Sequence, residues 1–217
     1  MKRPLSFVFL LGLLYSCGTD ETVISTDPSA IQLVGFEANG KFGYKDTAGN
    51  IIIPAHYEFI YEFDTCLVTG VLDSNGWSII NKKDEIVFTP MLFDNGPDYF
   101  EEGLARFVEN GKVGFFSSRG AKAVPAKYDF ATPFKDGLAS VCIGCAQVPL
   151  DEERMKIDGG KWGMIDKSGK EVLAFEYDKL LHFDTDSVSI QVGEKWYKMN
   201  IKTKEKFEIA GPKAGGY

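Results

Sequence analysis

The chain returns five times to one phrase, and that limits its fold more than any other feature. Aligned on the residue before a recurring glycine, the copies fall on Phe42, Trp77, Val113, Trp162 and Trp196, at spacings of 35, 36, 49 and 34 residues. A period in this range marks an array in which each unit is one small element that buries its apolar face against the next. The long spacing places an insertion of about 15 residues in the fourth unit.

The copies agree in detail. "LVGFEANGKFGY" (Leu33–Tyr44) aligns without a gap on "LARFVENGKVGF" (Leu104–Phe115). Gly-Lys recurs at Gly40-Lys41, Gly111-Lys112 and Gly160-Lys161. Tyr57, Tyr128 and Tyr177 each precede a phenylalanine by six residues, at Phe63, Phe134 and Phe183. The second unit departs most, with "NKKDE" in place of a glycine turn and one extra residue before Pro90.

This pattern predicts an all-β fold. "KFGYKD" and "KWGMID" alternate with period two, as half-buried strands do. "DTAG" and "DKSG" put Asp first and Gly last, the signature of a type I turn closed by a left-handed glycine. The runs "IIIP", "IVFTP" and "KAVP" read as short strands stopped by proline. A further strand precedes each aligned position. The unit is therefore a three-stranded antiparallel meander followed by a connection carrying Tyr and Phe. Helical repeats of similar length are excluded by glycine turns where helix interiors would fall. Five meanders form a tandem array, as either a propeller-like ring or an open β superhelix.

The expected organisation is a signal segment at 1–16, Cys17 with a flexible tether to 29, a β domain at 30–209 and a tail at 210–217. The units fall near 30–65, 66–102, 103–137, 138–186 and 187–209, with the insertion at about 143–160. The first segment has Lys2 and Arg3 before an apolar run, Leu5 to Leu14, too short to span a bilayer. Leu14-Tyr15-Ser16-Cys17 resembles the lipobox of bacterial lipoproteins, which implies lipidation at Cys17 and anchoring to the cell envelope, at the outer membrane on its periplasmic or surface side. Asp20 and Glu21 after that cysteine resemble the surface-export signal of Bacteroidetes lipoproteins. Without residues 1–16 the chain keeps 22 basic against 31 acidic residues, a net charge of −9. That balance excludes nucleic acid as a partner and leaves the lipid at Cys17 as the link to the membrane.

The offsets in "GKWGMIDKSGKEVLAFEYDKL" and "FKDGLASV" resemble those of the bacterial WG repeat family over about residues 30–209. The resemblance implies a β-rich array, often secreted or anchored, and carries over no catalytic residue.

Each candidate chemistry competes with a packing role. The aligned aromatics could stack on sugars, but Val113 in one copy suits an interface filler. Gly43, Gly114 and Gly163 would let a neighbouring aromatic or backbone approach. The repeated tyrosines read as corners whose hydroxyls bond to backbone. Cys142 and Cys145, in "GLASVCIGC", form a candidate disulfide or redox pair, though no helix start or thioredoxin-like pattern follows. Cys66, His56 and His182 lack zinc-site spacing, so no metal or cofactor is assigned. The insertion, with Asp151, Glu152, Glu153 and Asp158, reads as a lengthened hairpin loop and is the first place to look for a special site. No catalytic motif is present, and no catalytic residue is assigned. The expected function is a non-catalytic envelope module that binds or scaffolds a protein, peptide or glycan. The alternative is an envelope enzyme or thiol redox protein using the insertion and CIGC.

Overall fold

The computed structural model describes residues 31–151 and 154–211, with every side chain among them except those of His182 and Phe183. The signal segment, Cys17, the tether and the tail from 212 lie outside the described residues. Among those described there are strands and no helices.

The first unit is β1 (Leu33–Ala38), β2 (Lys41–Asp46) and β3 (Ile51–Tyr57), followed by the two-residue β4 (Phe59–Ile60). The second is β5 (Val68–Asp73), β6 (Gly76–Asn81) and β7 (Ile86–Pro90), followed by the small hairpin β8 (Leu92–Phe93) and β9 (Gly96–Pro97). The third is β10 (Leu104–Glu109), β11 (Lys112–Ser117) and β12 (Lys122–Tyr128), then β13 (Phe130–Ala131). The fourth is β14 (Leu138–Pro149), β15 (Met155–Asp166) and β16 (Glu171–Tyr177), then β17 (Lys179–Phe183). The fifth is β18 (Ser187–Val192), β19 (Lys195–Asn200) and β20 (Lys206–Ile209).

Every unit is an antiparallel meander, and the connections stitch the units together. β4 pairs with β5, β13 with β14 and β17 with β18, so a connection strand covers the outer edge of the next meander. The second connection breaks this rule. β7 itself pairs with β10 through Phe107↔Pro90 and Val108↔Thr89, fusing two units into one seven-stranded sheet. The displaced connection is pushed outward as the β8–β9 hairpin.

The core is divided by interface. One cluster joins units one and two around Tyr44, Phe63 and Ile80, and a second joins two and three around Phe88, Phe107 and Phe116. A third joins three and four around Phe115, Phe134 and Ile165, and a fourth joins four and five around Met164, Trp162 and Ile190. Each unit is too thin to hide a core of its own, so its two faces serve two neighbours. Among the described residues, no strand ladder and no core cluster joins units one and five, and the sheets do not close into a barrel.

Local chemistry explains the turns. Asp46 Oδ1 accepts hydrogen bonds from the Ala48 and Asn50 amides, and Asp166 Oδ1 from those of Ser168 and Lys170. In the second unit Asn81 Oδ1 takes the same part with Lys83 and Glu85, and Asp84 adopts the positive φ that glycine holds elsewhere. The aberrant "NKKDE" therefore makes the ordinary turn. Asparagine and aspartate tolerate that backbone region better than other non-glycine residues.

The prolines do not stop the third strand in units one and three. Pro54 and Pro125 lie inside β3 and β12, and only Pro90 ends its strand. Pro54 and Pro125 each sit at a register shift in the ladder to the middle strand, where no amide is needed.

Candidate functional site

Two sequence constants meet in space. The lysine just before the aligned position reaches the acid after the repeated tyrosine, as Lys41–Glu58 at 3.3 Å, Lys112–Asp129 and Lys161–Asp178 at 2.7 Å. Asp129 and Asp178 also accept an amide from the next unit's hairpin, Gly144 and Gly193. These partners, the lysine first, hold both carboxyls below the usual aspartate range. Lys195–Glu208 makes a comparable cross-strand pair in the fifth unit. The second unit keeps the acid but not its partner: Gly76 stands where the others have lysine, and Phe93-Asp94, three and four residues after Pro90, stand where the others have tyrosine and its acid.

The glycine after the aligned position is required by backbone. A Cβ at Gly114 would meet the Val124 oxygen and the Ala126 nitrogen at 2.7 Å, and one at Gly163 the Leu173 oxygen at 2.6 Å. At Gly43 it would strike the Ile53 and Pro54 backbone. The shifted third strand presses its main chain into the space those glycines leave.

The tyrosines depart from the corner expectation. All three are buried, yet none bonds to backbone. Tyr57 donates to Asp84 Oδ1 of the next unit, and the Tyr177 hydroxyl faces Met199 Sδ at 3.8 Å. The Tyr128 hydroxyl has no partner among the described residues. It is Tyr44 whose hydroxyl donates to a main-chain oxygen, that of Tyr61. Burial pushes Tyr177 up to about 12, which keeps its proton on at neutral pH.

The aligned positions do not all fill interfaces. Val113 and Trp162 are buried, whereas Phe42, Trp77 and Trp196 are half-buried. The contrast between Trp162 and Trp77 is informative because both keep the same partner. Phe130 meets Trp162 edge-on at 5.8 Å, and Phe59 meets Trp77 edge-on at 5.7 Å. In the fourth unit, Cys145 and Ile157 of the long hairpin pack in the same cluster as Trp162, leaving it 8% exposed. In the second unit no such arm exists. Phe59 and Tyr61 are each 45% exposed, and Tyr61 stacks on Trp77 with ring centroids 5.6 Å apart.

Two hairpin tips flank this triad. Asp73-Ser74-Asn75-Gly76 leads directly into Trp77, and the main-chain oxygen of Asn95, at the β8–β9 tip, accepts the Trp77 indole N–H at 3.1 Å. Pro97 and Tyr61 both crowd against Gly70, which fixes the tip against the triad. A buried ion pair anchors the far side of that hairpin. Arg106 Nε and Nη2 donate to the two oxygens of Asp98 at 2.6 and 2.8 Å, and Nη1 donates to the Ala131 oxygen. Removing either partner would leave a buried charge unmatched, so the pair holds the hairpin in one position. Nine of the fourteen exposed large apolar side chains among the described residues lie between Ile51 and Phe100, which concentrates adhesive surface in the first two units.

The insertion is not a loop. It continues β14 and β15 as paired strands from Ile143↔Lys161 out to Pro149↔Met155. Gly144, Gly159 and Gly160 all have positive φ and bend the arm beyond the aligned tryptophan. At that bend Cys142 and Cys145 are joined by a disulfide, with Cα atoms 6.1 Å apart. Cys142 is fully buried and Cys145 nearly so. Cys66 is a free cysteine. Among the described residues, no group of three or more His, Cys, Asp or Glu side chains is placed to hold a metal ion.

Sequence reasoning looked first to the insertion and passed over the second unit's surface. The signals were present: a missing lysine, phenylalanine at 93 in place of the tyrosine, an extra residue before Pro90, and arginine at 106 where the other units have Gly35, Gly70, Ser140 and Ser189.

A family model described as WG containing repeat matches residues 42–65, 77–112, 114–144 and 162–196. No curated protein matches the chain. Among solved structures, a crystal structure of a eukaryotic initiation factor superposes with a TM-score of 0.34 at 12% identity, over 78% of this chain and 50% of that one. This chain thus spans about half of that protein's length, and a likeness so distant carries no argument here.

Proposed function

The chain belongs to the WG repeat family, whose model matches more than half of it, and from that premise we propose that it is a non-catalytic binding module of the bacterial cell envelope. Lipid at Cys17 is its anchor, and residues to 29 are the tether that sets the domain off from the membrane. The partner is a protein, a peptide or a glycan of the envelope.

One observation carries the reading. The repeat has an aromatic pair that is covered in unit four and open in unit two, where a third ring, Tyr61, joins it. Exposed aromatic clusters in a rigid setting are what contact surfaces are made of, because large rings contribute binding area at small entropic cost. The redox alternative is less well supported. A thiolate must reach one of the two sulfurs to exchange with them, and Cys142 is fully buried while Cys145 is only 8% exposed.

The test is retention on native material. Full-length protein in mild detergent is mixed with envelope fragments, and the bound fraction is measured by sedimentation. The double variant Phe59→Ala/Trp77→Ala should lose retention while Phe207→Ala, at an exposed site in unit five, should keep it. Equal retention of all three proteins would reject the triad as the contact surface.

A further inference from the structure

We propose that the ligand of the unit-two surface is a neutral glycan. This rests on the binding reading above and adds the chemistry of what is bound.

The three rings touch one another. Phe59, Tyr61 and Trp77 have centroid separations of 5.2, 5.6 and 5.7 Å. Rings that close leave no gap for a cation or a side chain to enter between them. Phe59 stands edge-on to Tyr61 and Trp77, at 76° and 72°, and those two lie 29° from parallel, so the cluster is a stepped aromatic platform that suits a ligand with an apolar face. A pyranose ring has such a face in its axial C–H groups, and its rim of hydroxyls both donates and accepts.

The surroundings complement that rim. The tips bordering Trp77 supply Asp73, Ser74 and Asn75 on one side and Asp94 and Asn95 on the other. Carboxylates accept from hydroxyls, and amides do both at fixed spacing. Asn95 uses its main-chain oxygen to hold the indole, so the platform's own polar edge is satisfied before any ligand arrives. Neither tip nor triad contains Lys or Arg. A sulfated or acidic ligand would find no counter-charge there and would meet Asp73 and Asp94.

A peptide fits less well. Extended peptides bind by adding to a free strand edge or by placing side chains in pockets. The strand carrying Trp77, β6, is paired on both sides by β5 and β7, and the outer edge of β5 is covered by β4. Two shallow recesses, of about 380 and 320 Å³, are lined elsewhere, by residues such as Phe134 and Phe107, and include none of the three rings.

The experiment is calorimetric titration of the full-length protein with neutral hexasaccharides of glucose, N-acetylglucosamine and mannose. At least one should bind saturably in the millimolar range or tighter. Phe59→Ala and Trp77→Ala should each weaken it by about tenfold or more. Asn75→Ala, at an exposed turn that tolerates alanine, should weaken it as well, which guards against misfolding of the ring variants. Phe207→Ala should leave it unchanged. Failure of every oligosaccharide to bind, or binding that survives loss of the rings, would overturn the proposal. Retention on envelope fragments that is abolished by protease treatment of the fragments, with no oligosaccharide bound, would assign a peptide partner. That result would reject the glycan and leave the binding module standing.

Discussion

At the scale of single residues, the repeat is held by steric permission and by charge. The glycine after the aligned tryptophan has a negative φ, so it is kept for space and not for backbone freedom. Alanine at 163 would push its Cβ into the Leu173 oxygen at 2.6 Å. Gly163→Ala should therefore cost about 1–3 kcal/mol, read as a lower denaturant midpoint with an unchanged slope. The lysine–acid pairs contribute less each, about 0.2–1 kcal/mol for partly exposed pairs, but they carry a pH signature. Asp129 and Asp178 titrate below their ordinary value of 3.8 in the folded state, held down chiefly by Lys112 and Lys161. A depressed carboxyl contributes stability above its unfolded value and loses it as pH falls through the folded value. The denaturant midpoint should fall as pH drops from about 5 to about 2, and Lys112→Met with Lys161→Met should flatten part of that fall. Glycine spacing was legible in the sequence because its cause is local. The ion pairs were not read, because their members lie 17 residues apart, the lysine in the second strand and the acid at the bend after the third. That constant separation in three units was the available signal.

At the scale of elements, the two departures from the repeat have opposite effects. The fourth unit adds a kinked arm that shields its tryptophan. The second pushes out a hairpin and leaves its tryptophan half-buried beside two exposed rings. The arm was expected as a loop, since acidic, glycine-containing insertions usually are. Its strands could not be read from alternation, because three positive-φ glycines break the period midway. The arm is dispensable for the fold if it is only a cover. Replacing residues 144–160 by Asn-Gly would join Ile143 to Lys161 through the turn that joins Ala38 to Lys41 in the first unit. The shortened protein should fold with a native strand signature. Its tryptophan emission should shift to the red as Trp162 gains solvent. A blue or unchanged emission would show that neighbours other than the arm bury that ring.

At the scale of the whole molecule, five thin meanders share four interface cores, and stability passes between neighbours only. Unit number, the three-stranded meander and the all-β class followed from the period and the turns, which are local rules repeated; the short strands in the connections, β4, β8, β9, β13 and β17, did not. The arrangement of successive units did not, because it depends on the small rotation between units, and no single unit records it. The location of the proposed contact surface was not read either. An insertion announces itself by length, whereas the second unit is distinguished by single replacements, glycine for lysine at 76 and phenylalanine for tyrosine at 93. The central claim is that this altered unit is where the molecule meets its partner. Hydrogen exchange of the full-length protein, with and without solubilised envelope material, tests it most directly. The account predicts added protection over residues 59–61, 72–78 and 92–97, with the arm at 143–160 unchanged. Protection confined to the arm, or spread evenly over all five units, would contradict it.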